Sequence, residues 1–101
     1  MKIFELHATT GYTGLTIPVR SIYTDNRGYS ILSKKAFDIY QQKVEADPRL
    51  AGYTLRLVIF ERETDDNGIF RLIRTIYRDY GFENSDVRNN IVLIEEQIFN
   101  K

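Results

Sequence analysis

Arg71, Arg74 and Arg78 stand three and four residues apart in the stretch R-L-I-R-T-I-Y-R. On a helix that spacing sets three guanidinium groups along one ridge. A guanidinium is a planar fork of donors, so such a ridge can grip a row of carboxylates or a phosphate backbone. The plainer alternative is a solvated helix face whose charges are answered by Glu61 and Glu63. Tyrosine is the second unusual feature, with seven residues in a chain of 101. Tyr40 and Tyr77 fall on apolar faces and read as core. Tyr12, Tyr23, Tyr29, Tyr53 and Tyr80 stand near turns or element ends, where a ring is half buried and its hydroxyl reaches water. Tyrosine and arginine dominate interface hot spots. Arg71, Arg74, Arg78, Tyr12, Tyr23 and Tyr29 are therefore the candidate partner-binding residues.

Other chemistry is poorly provided for. His7 is the only histidine and there is no cysteine. Glu5 shares a face with His7 on an alternating strand, so a Glu–His pair is possible, but no further ligand stands at a spacing that completes a metal site. Without cysteine there are no disulfides, thiolate nucleophiles or zinc–cysteine clusters. Asp25, Asp65 and Asp66 sit in turn-like stretches, whereas acid–base work needs carboxylates held together in a cleft. Gly11-Tyr12-Thr13-Gly14 has the G-x-x-G spacing of a phosphate-clamping loop. It carries no basic residue and falls between predicted strands, so it reads as a turn. P-loop, dinucleotide and nucleophile-elbow signatures are absent from the sequence. The chain is not expected to be an enzyme, nor to hold a metal or a cofactor.

These residues need a scaffold, and length and composition bound it. With 101 residues, 43% hydrophobic and 28% charged, residues 1–101 are expected to form one globular domain. A chain of this size buries roughly two thirds of its unfolded surface, enough for a core without staples. The formal net charge is zero, from 14 basic and 14 acidic residues, which provides no bulk attraction to nucleic acid or membrane. No apolar run approaches the ~20 residues that span a bilayer. The opening Met1-Lys2-Ile3-Phe4-Glu5 meets charge before any apolar run, so no secretory leader is expected. A cytoplasmic location, with no membrane partner, follows as the expectation.

The strongest helix signal lies in residues 29–48. Ser33 stands as N-cap, with Leu32 and Phe37 as a hydrophobic staple. Ala36, Phe37, Ile39, Tyr40 and Val44 form the apolar stripe, and Asp47-Pro48 ends it. Residues 2–8 alternate as a half-buried strand. Residues 15–23 alternate too, with Pro18 suggesting an edge. Residues 24–28 read as a turn and 29–32 as a short strand. Asp47, Pro48 and Gly52 are placed to cap, start and end one extra helical turn. Residues 53–63 are the strongest strand, apolar on both faces at Leu57-Val58-Ile59-Phe60 and so central.

Residues 69–80 read as a second helix, with Ile69, Leu72, Ile73, Ile76, Tyr77 and Tyr80 inward and Gly81 at the left-handed C′ position. The alternative is a strand, with Asp65-Asp66-Asn67-Gly68 closing a hairpin. Ile91-Val92-Leu93-Ile94, continuing to Ile98 and Phe99, reads as a last buried strand; the alternative is a helix through Ser85, Val87 and Ile91. The expected order is β-β-β-α-β-α-β. That is an α+β two-layer sandwich, a mostly antiparallel sheet of about five strands with two helices on one face. On this scaffold the expected function is a small non-catalytic binding module. It would be an inhibitor, adaptor or assembly factor that docks on another protein, or on itself, through a Tyr/Arg surface. The alternative is a nucleic-acid binder that uses the Arg71/Arg74/Arg78 face, with tyrosines stacking on bases.

Overall fold

Leu55, Leu57 and Ile59 are 0%, 0% and 1% exposed, and they alternate with half-buried Arg56, Val58 and Phe60. A strand with one face that dry must be covered on that face and flanked on both edges. The computed structural model describes residues 1–12, 14–85 and 90–101 and shows how this is met. The elements in chain order are β1 (Lys2–Thr10), β2 (Arg20–Tyr23), α1 (Asn26–Ala46), β3 (Leu55–Thr64), β4 (Phe70–Phe82) and β5 (Ile91–Asn100). Short 3-10 turns lie at Pro48–Gly52 and Glu83–Ser85. All pairings are antiparallel, in the order β2-β1-β3-β4-β5, which makes β3 the central strand. Leu6 of β1 and Ile76 of β4 flank Ile59 on the helix side of the sheet.

The helix begins eight residues earlier than its Ser33 signal suggests, with its cap at Asp25. Asp25 is extended at φ −148°, and its carboxylate accepts from Gly28 N–H at 2.8 Å. Residues 29–32, expected as a strand, are therefore helical. Ser33 is buried in the helix interior and its hydroxyl donates to the Ser30 carbonyl at 3.3 Å. Gly28 is tolerated inside the helix because nothing larger fits: a Cβ there would lie 2.6 Å from Tyr23 Cβ. Ala36, Tyr40 and Val44, each 0% exposed, are the buried stripe, with Phe37 and Ile39 packed beside them. Asp47 closes the helix by donating its N–H to Lys43 O, and its carboxylate starts the Pro48–Gly52 turn by accepting from Arg49 N–H. The expected extra turn thus forms.

Two more expectations are corrected. Of residues 15–23, the ladder takes only Arg20–Tyr23. Leu15, Ile17 and Val19 are buried as their alternation requires. Proline at 18 cannot join a ladder, and Val19 N–H turns back to the Ile17 carbonyl at 2.8 Å. The expected second helix at residues 69–80 is strand β4, so the order is β-β-α-β-β-β and a single long helix covers one face of a five-stranded sheet. The class is α+β, but the two-helix sandwich is overturned.

A β-bulge explains why β4 reads as a helix. Arg74 pairs with Glu61 and Leu72 with Arg62, so Ile73 is the extra residue. On a plain strand Arg71 and Arg74 would face opposite ways. The bulge returns both, with Arg78, to the helix side of the sheet, opposite Glu63, Glu61 and Leu57. Asp65 closes the hairpin by accepting from Asn67 and Ile69 N–H, with Gly68 at φ +76°. Gly81, expected to end a helix, lies within β4 under Ile94, whose Cδ1 would be 2.7 Å from a Cβ. Residues 91–100 form a strand, but an exposed one, since only Ile91 is half buried. Val87, which the alternative helix would have used, lies outside the described residues, as does Thr13 of the G-x-x-G stretch.

Replacing Asp25 by Ala is expected to cost ~1 kcal/mol, the usual loss for an N-cap. Ser33→Ala costs less, since alanine is the better helix former and the hydroxyl bonds only its own helix. Urea denaturation of both variants checks the pair; an equal or larger loss at Ser33 would contradict the assigned helix start.

Candidate functional site

Arg78 lies on the helix side of β4, between Leu57 of β3 and Glu96 of β5. The first turns of α1 stand above it. Its guanidinium lies over the Tyr29 ring, 5.1 Å from the centroid, with Nε donating to Glu96 at 2.7 Å. Tyr29 reaches down from α1 and its hydroxyl sits 3.3 Å from that of Tyr80. Tyr23, at the end of β2, stacks on Phe4 (centroids 5.1 Å apart, planes 10°) and tilts against Tyr29 at 5.8 Å. Between the start of α1 and the sheet, Phe4, Tyr23, Tyr29 and Arg78 line a cleft of ≈ 460 Å³, with Ile59 and Ile76 on its floor and Asp25 and Asn26 at its rim.

The electrostatics of the cleft favour hydrogen bonding over proton transfer. Burial pushes the Tyr23 hydroxyl up to about 12, reinforced by Tyr29 and Glu61 and opposed by Arg78. Burial also raises Tyr80, and its hydrogen bond to Tyr29 adds to that. These shifts run against forming a tyrosinate base, which needs the opposite direction. Burial works against the charge on Arg78, but the hydrogen bonds to Glu96 and Tyr29 outweigh it and hold its pKa above the ordinary value.

Of the six candidate residues, the structure brings Tyr23, Tyr29 and Arg78 together. Arg71 and Arg74 share the same sheet face but are engaged elsewhere. Arg71 donates to Asp65 at 3.1 Å, and Arg74 donates to Asn100 at 3.0 Å and lies 3.4 Å from Glu61. Glu61 is 4% exposed and is also flanked by Lys2 at 3.4 Å. Tyr12 lies near the C-terminal end of α1, where it packs on Tyr53 at 5.0 Å and lines a shallow groove with Asp47 and Arg49.

On the opposite, uncovered face of the sheet His7 and Glu5 do pair, at 2.8 Å. Glu5 also accepts from Arg62 at 3.0 Å and lies 3.6 Å from Arg20. The His7 hydrogen bond foremost, then Arg62, lowers the Glu5 pKa against the opposing effect of burial. Among the described residues no group of three or more His, Cys, Asp or Glu is placed to hold a metal ion.

Sequence reasoning missed other residues of the cleft: Asp25 and Ile76 come from stretches read as a turn and a helix, and Phe4, on a strand placed as found, joins them only through the fold. The signal for Asp25 was partial: a good N-cap residue, but followed three residues later by Gly28. It also missed the surface of β5. Val92, Leu93, Ile94, Ile98 and Phe99 are 40–57% exposed. Comparison with protein-family models, with curated proteins and with solved structures finds no match to this chain. Among the described residues no helix is long and apolar enough to cross a membrane.

The raised Tyr23 pKa has a measurable consequence. From the ordinary 10.0 to about 12 the unfolded chain loses this proton while the folded chain keeps it. The stabilisation is complete below the lower value and declines as pH rises through that window. Tyr23→Phe is expected to lose stability less steeply than the wild type as pH rises above about 10 toward about 12, read from urea midpoints. Identical slopes would mean that the hydroxyl is not desolvated.

Proposed function

We propose that the chain is a non-catalytic binding module that docks a partner protein on the cleft formed by Tyr23, Tyr29 and Arg78. The observation that carries this is their convergence: one residue each from β2, α1 and β4 meets at a single concavity. An incoming side chain meets an apolar floor, neutral hydroxyls and a guanidinium already held by Glu96. Aromatic and arginine anchors in a pocket are the usual make-up of a binding hot spot, and a pre-organised arginine loses less freedom on binding. Inhibitor, adaptor and assembly roles all fit such a module. The nucleic-acid alternative gains no electrostatic support, since Arg71, Arg74 and Arg78 each have an acidic neighbour and the net charge is zero. Sequence-independent nucleic-acid binding relies on a positive groove.

A photo-crosslinking benzophenone residue in place of Tyr29, activated in the native host, tests this reading. The expected product is a protein adduct, reduced by Arg78→Ala to the extent of a hot-spot loss of ~2 kcal/mol or more. An adduct removed by nuclease would favour nucleic acid. An adduct formed from position 12 and not from 29 would move the site to the Tyr12–Tyr53 groove.

A further inference from the structure

The ten-residue strand β5 is built like an internal strand and placed like an edge. Its apolar side chains occupy both faces. Leu93 and Ile98 lie on the helix side, opposite Tyr80 and Ile76, while Val92 and Phe99 lie on the other, opposite Gly81 and Thr75. A strand apolar on both faces is ordinarily covered on both. Here Ile98 is 49% and Phe99 52% exposed, and among the described residues no strand pairs with the outer edge of β5. These half-exposed side chains flank the open edge of β5 on both faces. Of the devices that blunt edges, β5 has the Ile94 bulge and the Glu95-Glu96 pair, but residues 97–100 carry neither bulge nor charge. The other edge, β2, has four residues and follows Pro18, whereas β5 is long and proline-free.

We propose that β5 pairs antiparallel with β5 of a second copy, about a two-fold axis at Ile98, joining two five-stranded sheets into one. The register is selected by charge. Over residues 95–100 the odd positions lie on the uncovered face and the even ones on the helix face. A two-fold axis normal to a regular antiparallel pair sets one residue opposite itself, so only a few centres are available. Centring on Glu95 or Glu96 opposes like carboxylates, which destabilises a pair. Centring on Gln97 sets Glu96 against Ile98 and Glu95 against Phe99. A centre between Glu95 and Glu96 would oppose residues that lie on different faces of the sheet, which the pleat excludes. Centring on Ile98 sets Ile98 against itself, Gln97 against Phe99, Glu96 against Asn100 and Glu95 against Lys101.

The side chains are ready for that last arrangement. Gln97 donates to Glu95 at 3.2 Å along the uncovered face, and Lys101 continues the ladder by donating its N–H to the Ile73 carbonyl at 3.1 Å. The dimer gains two Glu95–Lys101 pairs and opposes no like charges. It is independent of the cleft, so a monomeric result would leave the proposed function standing.

Sedimentation equilibrium of the purified chain over a range of concentrations, at low salt, tests the pairing. The wild type is expected to dimerise reversibly. E95K and K101E are each expected to weaken the dimer on the order of tenfold, and E95K/K101E to restore it. I98K, with two lysines facing at the axis, abolishes it, while I22K on the far edge leaves it unchanged. Circular dichroism of every variant confirms folding, since these side chains are exposed. A wild type monomeric at all concentrations overturns the proposal and leaves the strand of a different protein as the occupant of β5. A dimer that neither E95K nor K101E weakens overturns the register. A dimer unaffected by I98K overturns the edge itself.

Discussion

One helix cannot cover five strands, and most of this structure follows from that mismatch. A helix with its side chains is about 10–12 Å across. Five strands spaced about 4.8 Å apart span about 19 Å between the outermost axes. The 21-residue α1 joins its Ala36, Tyr40 and Val44 to Leu6, Leu55, Leu57 and Ile59 in the one buried cluster, so it sits on the β1–β3 side of the sheet. The extended segment holding Leu15, Ile17 and Val19, tied to β1 by the Ala8–Val19 hydrogen bond, supplies further cover. Ala51 of the 3-10 turn and Phe82, stacked on Tyr40, complete it. No described element lies over β5. The cleft has the same origin, because it opens where the first turns of α1 leave the sheet that continues beyond them.

The parts of the fold that were legible in the sequence are those where period and burial agree. The continuous apolar run Leu57-Val58-Ile59-Phe60 marks β3 as central, as found, and the Ala36-Tyr40-Val44 stripe keeps strict helical spacing. The failures have local causes. At β4 the bulge at Ile73 inserts one residue into a period of two, so the arginines fall three and four apart, the signature of a helix. At the helix start Asp25 and Ser33 are both good caps. The choice between them depends on whether Gly28 interrupts the helix or belongs to it, and the close approach of Tyr23 that decides this is a tertiary contact. For the candidate site, residue types were legible and their grouping was not. Tyr23, Tyr29 and Arg78 were chosen as interface-like residues, but their convergence depends on β2 lying at one edge and β4 being a strand.

Zero net charge is realised as local pairs. Arg56 holds Asp79 through two hydrogen bonds of 2.8 and 3.1 Å while lying over the Tyr77 ring, and Arg62 holds Glu5 while lying over Phe60. Each guanidinium lies over an aromatic ring on the otherwise uncovered sheet face, and its charge is matched by a carboxylate. This lets a single-helix fold keep aromatic residues on its second face without exposing a continuous apolar surface. The device stops at β5. Phe99 meets the edge of Tyr77 at 5.5 Å and remains about half exposed, at 52%.

Arg78 belongs to both remaining surfaces. Its guanidinium forms one wall of the cleft and its hydrogen-bond partner, Glu96, sits in the middle of β5. The pair is only partly exposed, at 27% and 36% for the two side chains, so solvent and salt screen it less than a fully exposed contact. Glu96 leans toward Arg78 along the sheet surface, which keeps the outer backbone edge of β5 free of a charged side chain at the point where edge strands usually carry one. The same interaction that fixes the arginine over Tyr29 therefore leaves the edge open to pairing. Removing Glu96 would loosen the cleft wall and discharge the strand at once, whereas Glu95, which bonds only Gln97 among the described contacts, reports on the edge without disturbing the cleft.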